Sequence, residues 1–349
     1  RKTEITIAPM YAFGSKTPVG YADITKYITQ NNNVFQQITL NAKAKSFAYN
    51  YINTSAFNEA NSTTINSFNL NYYKVSASID FELKKGFARS KITQHIGYTN
   101  TNLFVDNETY KIDRVDSSQS NIGFQNKATI INNFYYTLQN NRAINPFDVA
   151  FNFQHNDQFG KASATFNYAI TFKNKNTLDF RLFAGAFIYK ANNLKEDYRF
   201  RMSGFNGIQD YLFDYNYAGR NEIYGVPAAQ MVEKDGAFKI WTPLGQTSKW
   251  LVTLNIKSPK VGKLPLKLYA DIGTSEFNES LYKDKFLYNV GVDICLWKNV
   301  FEIYVPFAYS QDIRTALIAN NKGNFFDTIR FTLNLHNINP RNLLTSSFL

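Results

Sequence analysis

Ile329-Arg330-Phe331-Thr332-Leu333-Asn334-Leu335-His336 alternates without a break: Ile329, Phe331, Leu333 and Leu335 fall on one side, Arg330, Thr332, Asn334 and His336 on the other. Successive side chains of a strand point to opposite faces, so period two marks a strand with one apolar and one polar face. The same pattern runs from Val75 to Leu83, Ala164 to Phe172, Leu266 to Ile272, Tyr288 to Leu296 and Phe301 to Phe307. Turn chemistry separates the segments: Lys84-Lys85-Gly86, Lys173 to Asn176, Ser258-Pro259-Lys260 and Asn320 to Gly323. Apolar residues at helical spacing are almost absent, so the fold class is all-β.

Alternation alone leaves two architectures open. A soluble sandwich turns its apolar faces inward against each other. A membrane barrel turns them out to lipid and lines its lumen with the polar ones. Three features favour the barrel. The segments run to ten residues or so, enough for a tilted strand to cross a bilayer. Aromatics cluster near segment ends, as in Phe134-Tyr135-Tyr136 and Asn71-Tyr72-Tyr73, where an interfacial girdle would lie. The polar faces carry full charges (Asp179, Arg181, Lys267, Asp271, Asp293 and Arg330), which suit a wet lumen. The composition agrees. Of 349 residues, 16% are aromatic (23 Tyr, 31 Phe, 3 Trp) and only 19% charged, yet the mean hydropathy is −0.34. Sorting apolar and polar residues onto opposite faces reconciles many rings with a polar average. No run of 18 apolar residues marks a membrane helix.

Segments 3–13, 18–29, 33–49, 65–84, 90–105, 109–126, 127–139, 147–156, 159–173, 176–190, 236–242, 248–257, 264–273, 285–297, 299–309 and 325–336 predict a single antiparallel transmembrane β-barrel of about 16 strands. Segments 109–126 and 236–242 are the weakest, so about 14 strands is the alternative, and both counts are even as in bacterial single-chain barrels. The whole of 1–349 reads as one barrel domain with one long connection, 192–235. That connection is rich in aromatics and Gly, and is expected to pack into the lumen. The chain opens at Arg1 with neither Met nor an apolar leader, which reads as a mature protein or a fragment.

Little points to chemistry. A single Cys rules out a disulfide framework or a thiolate metal cluster, and His95, His155 and His336 are far apart in sequence. No catalytic motif and no metal or cofactor site is expected. Asp113 and Asp116 around Arg114, and Asp197 near Arg199 and Arg201, read as ordinary charge pairing rather than metal ligands. The net charge of +11 is spread along the chain with no basic run, so no nucleic-acid partner is expected. Ser, Thr and Asn dominate 53–67, read as a solvated loop.

The long connection contains Arg199-Phe200-Arg201-Met202-Ser203-Gly204-Phe205-Asn206-Gly207, two Arg and two Gly within nine residues. Gly permits a tight reversal, and an Arg leaving bulk water needs an acidic partner. With Tyr269-Ala270-Asp271 on a late strand, this arrangement resembles the BamA, TamA and FhaC superfamily of outer-membrane assembly and translocation barrels. Their long inserted loop carries an Arg-Gly-aromatic tip that contacts a motif on the inner wall. Here Met202 and Ser203 separate Arg201 from Gly204. The resemblance implies a loop-to-wall pairing in which Arg199 or Arg201, beside Gly204 and Phe205, meets Tyr269 and Asp271. Over about 192–336, with Gly219-Arg220-Asn221-Glu222, Asp235 to Lys239 and Leu264 to Gly273, the chain also resembles the C-terminal barrel of large Bacteroidota aminopeptidase-N-like metallopeptidases. Their His-Glu-x-x-His motif is absent, so this chain is expected to be no enzyme itself.

These resemblances imply a membrane-anchor domain of a larger, metallopeptidase-associated envelope protein in the outer membrane of a Gram-negative bacterium, with the lumen plugged by the loop. The implied partners are outer-membrane lipid and lipopolysaccharide, and other envelope proteins or a larger complex. An assembly or translocation barrel, a passive porin and a soluble β-sandwich binding protein are the rival expectations.

Overall fold

A computed structural model describes residues 2–12, 16–29, 34–53, 66–86, 90–192, 194–218, 220, 225–262, 264–276, 283–297 and 300–334, except 112–120; the side chains of 12, 48–53, 66–71, 105–111 and 121–127 are outside this description. The Ser/Thr/Asn stretch at 54–65, Asp113, Arg114, Asp116, and Gly219, Asn221 and Glu222 therefore lie outside the described residues.

The chain is all-β. Its strands are β1 (Lys2–Ala12), β2 (Thr17–Thr29), β3 (Phe35–Asn53), β4 (Asn66–Leu83), β5 (Ile92–Lys111), β6 (Asn121–Asn140), β7 (Phe147–His155), β8 (Phe159–Thr171), β9 (Thr177–Lys190), β10 (Trp250–Lys257), β11 (Leu266–Ser275), β12 (Leu287–Trp297), β13 (Phe301–Tyr309) and β14 (Arg330–Leu333). They form one 14-stranded sheet in sequence order, so each strand pairs with its neighbour in the chain. The short helices are α1 (Gly225–Ala228), α2 (Gln311–Ala319) and α3 (Phe325–Thr328). By packing, the chain divides into two compact units: 1–86 with 95–135 and 154–156, and 87–94 with 136–153 and 157–349.

Among the described residues there are fourteen strands, the alternative count rather than sixteen, and the two weakest segments account for the difference. Segment 109–126 is not a strand of its own: its ends belong to β5 and β6. Segment 236–242 joins the connection, which runs from β9 to β10 as 191–249 rather than 192–235. Its apparent alternation fails because both of its sides are covered: Ala237, Phe238, Lys239 and Ile240 are all buried. Asp235 and Ala237 also adopt positive φ, which breaks the extended run. Of segment 325–336, the first four residues form α3 and Arg330–Leu333 form β14, while Leu335 and His336 lie outside the described residues.

In the first unit, β1 to β4 carry the expected alternation, with Ile5, Ile7, Ile24 and Val75 exposed. Its polar side links strands through Asp80, which faces His95 Nδ1 at 2.8 Å and accepts from Tyr135 Oη at 2.9 Å. The Tyr135 ring lies over Gly97, where a Cβ would sit 2.2 Å from Cζ. Here only glycine admits the crossing ring.

In the second unit the sorting of residues runs opposite to that of a soluble protein. On β10 to β13 the buried side chains are Thr253, Asn255, Lys267, Asp271, Asn289, Asp293 and Glu302, while Val252, Leu268, Ile272, Leu296 and Phe307 are exposed. Segment 191–249 covers the polar side and brings an apolar cluster with it. Phe200, Met202, Phe238 and Ile240 pack with Phe183, Leu251 and Leu287 of the strands and Ile313 and Leu317 of α2. α2 was not expected. Its two buried apolar residues, Ile313 and Leu317, are one turn apart, a pattern too short to register as helical periodicity. Asp312 in its first turn accepts the backbone N–H groups of Lys283 and Asp284.

Candidate functional site: the segment docked on the polar face

The connection is a folded insert. Phe200 and Thr247 exchange both backbone hydrogen bonds, as do Phe205 and Val232, and Phe238 bonds Met202 and Gly204. Gly236 lies so close to the Met202 backbone that a Cβ would fall 2.5 Å from its carbonyl oxygen. Gly204 is equally confined, with a Cβ 2.3 Å from Met231 Cε and 2.8 Å from Val232 O.

The wall it meets is a row of directly paired residues across five strands. Asn167 of β8 stands opposite Arg181 of β9, Arg181 opposite Asn255 of β10, Asn255 opposite Asp271 of β11, and Asp271 opposite Asn289 of β12. Asp271 is the anchor. Its Oδ2 accepts the Lys239 backbone N–H at 2.8 Å and Asn289 Nδ2 at 3.3 Å, and its Oδ1 accepts Asn255 Nδ2 at 2.9 Å and Lys239 Nζ at 3.3 Å. Asn255 Nδ2 also donates to Gly236 O, and Arg181 Nη1 to Asp235 O. A second set of contacts surrounds Lys257, whose Nζ lies 2.8 Å from both Glu233 and Glu302 and 3.0 Å from Tyr304 Oη.

Lys161 of β8 holds the start of the insert. Its Nζ donates to Tyr198 O at 2.8 Å and lies 5.1–5.8 Å from the ring centroids of Phe159, Phe187, Phe200 and Tyr211. Stacking an ammonium on aromatic faces offsets part of its desolvation.

The expected pairing of Arg199 or Arg201 with Asp271 is not what the structure has. Arg199 reaches Glu196 three residues back, at 3.4 Å. Arg201 is buried, donates from Nη2 to Glu196 O at 3.1 Å, and meets Asp235 Oδ2 through its backbone N–H. Lys239 takes the place instead, reaching Asp271 with both its backbone N–H and its ammonium. Gly204 and Phe205 pack inside the insert, and Gly204 O accepts Arg330 Nη1 from β14 at 3.1 Å. Tyr269 sits on the wall beside Asp271, edge-on to Tyr304, above a position at Gly291 with no room for a side chain. Alternation placed Asp271 and Asn289 on the polar faces of their strands; it had no means of singling out Lys239, Glu233 or Lys161.

Electrostatics couple the insert to the wall. Burial pushes the Glu233 carboxyl up, but Lys239 and Lys257 outweigh it and hold it well below the usual carboxylate range. Burial pushes Asp235 up against the pull of Lys161 and Lys234. A carboxylate held low in the folded state contributes stability at every pH above its unfolded value, and that contribution disappears as pH falls through the folded value; one held high has the opposite sign. Acidification below about pH 4 is therefore expected to weaken the Glu233 contacts. The urea midpoint of the wild type falls in that window. Glu233→Gln starts lower at neutral pH and lacks that part of the fall. Parallel pH curves for the two proteins would remove Glu233 from this role.

No protein-family model matches the chain, and no curated protein does. Solved structures similar to it include a ferric enterobactin receptor in complex with BCV-L6, at 12% identity and a TM-score of 0.43 over 86% of this chain and 45% of that one. A copper transporter matches at 7% identity and a TM-score of 0.39, over 82% of this chain and 46% of that one. The chain spans less than half the length of either.

Proposed function

We propose that the chain is a β-barrel of a Gram-negative outer membrane whose interior is closed by residues 191–249, and that it serves as a membrane anchor rather than as an open pore. The observation that carries this reading is the inverted burial on β10 to β13, with carboxylates, lysine and amides inside and Leu, Ile, Val and Phe outside. In water that arrangement loses on both counts, because buried charge costs solvation and exposed apolar rows gain nothing. In lipid it is the favourable one, because the apolar rows meet acyl chains while the polar ones stay covered. Membrane lipid and lipopolysaccharide are then the partners of the apolar face. The insert, tied to the wall by Lys239 and Lys161, leaves the barrel a support rather than a conduit.

The finer reading is that this anchor belongs to a larger envelope protein with a metallopeptidase domain, the chain itself doing no chemistry. It rests on the resemblance of residues 192–336 and on the absence of a catalytic motif here. Cell fractionation tests the main reading. The chain is expected in the outer-membrane fraction, resistant to carbonate and urea extraction, and its gel mobility is expected to shift on boiling in detergent. Recovery in the aqueous phase without detergent would overturn it in favour of a soluble β protein.

A further inference from the structure

The surplus of positive charge forms no run in the sequence, but the topology of the second unit gathers part of it at one end. The start of β5 and the turns 141–146, 172–176 and 258–265 share that end. Asn141 N–H donates to Lys91 O at 3.0 Å, Asn145 N–H donates to Thr171 Oγ1 at 3.1 Å, and Lys257 of β10 stands opposite Asp179 of β9. Among the described residues, Lys91, Arg142, Lys173, Lys175 and Lys260 lie there, all exposed, and the three turns hold no Asp or Glu. None of the five stands in an ion pair. Arg142 folds onto its own turn, donating from Nε to Asn145 O at 2.7 Å. The carboxylates closest in sequence, Asp148 and Asp179, are met by Asn167 and Lys267. The other end of the same strands has mixed charge: Lys249 pairs with Glu276, Arg199 with Glu196, and Asp284 stands between Lys283 and Lys285.

We propose that this rim seats the headgroups of anionic phospholipid in the periplasmic leaflet, with its cations on lipid phosphates. Two further observations select that partner. Each cation has an exposed apolar neighbour: Ile92 follows Lys91, Ile144 lies two residues beyond Arg142, Phe172 precedes Lys173, and Val261 follows Lys260. Side chains of both kinds together fit the depth where acyl chains give way to headgroups. A nucleic acid or an acidic protein would match the cations and leave the apolar neighbours bare, and a neutral lipid would leave the cations unmatched. The second observation is the length of the connections. Short turns close this end, whereas 191–249, 276–286 and 310–329 leave from the other. Bacterial barrels keep short turns on the periplasmic side and longer loops outside, so the rim meets phospholipid rather than lipopolysaccharide. The inference rests on the membrane reading above.

Native mass spectrometry of the detergent-solubilised chain, titrated with dioctanoyl phosphatidylglycerol or dioctanoyl phosphatidylcholine, tests it. The anionic lipid is expected to be retained at a concentration about tenfold or more lower than the zwitterionic one. Each cation near an anionic surface is worth about fivefold in affinity. Lys173→Gln with Lys175→Gln should therefore cut retention of phosphatidylglycerol sharply and leave phosphatidylcholine unchanged. Lys283→Gln with Lys285→Gln, at the opposite end, should change neither. All four side chains are exposed, so the fold is not at stake. Equal retention of the two lipids, or an equal loss from either pair of substitutions, would overturn the proposal. So would displacement of the lipid by an equal concentration of inorganic phosphate, which would leave a simple anion site. If the boiling-dependent gel shift persists while the lipid preference is missing, the rim fails and the barrel stands; loss of the shift as well would remove the membrane reading itself. The leaflet is tested in cells with Lys173→Cys and a membrane-impermeant maleimide, Cys295 being buried. Labelling is expected only after the outer membrane is permeabilised. Labelling of intact cells would put the rim among lipopolysaccharide and overturn the assignment to phospholipid.

Discussion

Planar bilayers containing the intact chain are expected to show no channel current, and excision of residues 194–246 with a Gly-Ser link is expected to produce discrete single-channel steps. The excision is geometrically mild. Phe187 N–H bonds Lys249 O, and Lys190 Nζ bonds Ser248 Oγ at 2.7 Å, so β9 and β10 already meet where the new hairpin would form. What leaves is the body that covers Thr253, Asn255, Asp271 and Asn289, and with it the apolar residues Phe200, Met202, Phe238 and Ile240. Thr253, Asn255, Asp271 and Asn289 gain water on exposure, while Phe183, Leu251 and Leu287 lose apolar cover; the strand ladders themselves do not pass through the insert. Retention of the boiling-dependent gel shift in the excised variant would show that the barrel survives. Current through the intact chain equal to that of the variant would overturn the closed-anchor reading and favour a passive porin.

How much of this could be read from residues alone follows from what sets each feature. Strand identity is local: alternation in Leu266 to Ile272 or Tyr288 to Leu296 reports one face against the other, and those segments are β11 and β12. The inverted burial follows from the same alternation once full charges such as Asp271 and Asp293 are seen on the polar side. Segment 236–242 looks alternating, but docking covers it on both sides. The start of segment 325–336 failed for a different reason: Phe325 to Thr328 has no alternation of its own and forms α3. The partner of Asp271 was also beyond reach. Within the insert Arg199, Arg201 and Lys239 are all cations at plausible positions, and only the folded path of 200–205 against 232–247 decides which one faces the wall. Helix α2 escaped because Ile313 and Leu317 alone cannot establish a period of 3.6.

Asp271→Ala is expected to cost roughly 3–5 kcal/mol, the usual penalty for removing one partner of a buried ion pair. The carboxylate has four donors, and each is buried or held: the Lys239 backbone N–H and ammonium, Asn255 and Asn289. Lys239 is 1% exposed, and without Asp271 its remaining counterion is Glu233 at 3.4 Å, shared with Lys257. The ammonium then has no route to water except by lifting residues 235–241 off the wall. Trypsin should accordingly cut at Lys234 or Lys239 in the variant and spare both in the wild type. Asp271→Asn keeps the shape but turns an amide towards donors, and is expected to lose most of the same stability. Arg201→Ala tests the alternative, because Arg201 meets Glu196 O and Asp235 and makes no contact with Asp271. It should leave the Lys239 cleavage site protected. The double variant Lys239→Met with Asp271→Leu removes both charges, and a well-packed apolar pair in place of a buried ion pair is often neutral. It should recover much of the single-variant loss in urea unfolding from detergent. A double variant as unstable as the sum of its parts would mean that Asn255 and Asn289, rather than Lys239, are what Asp271 is there to hold.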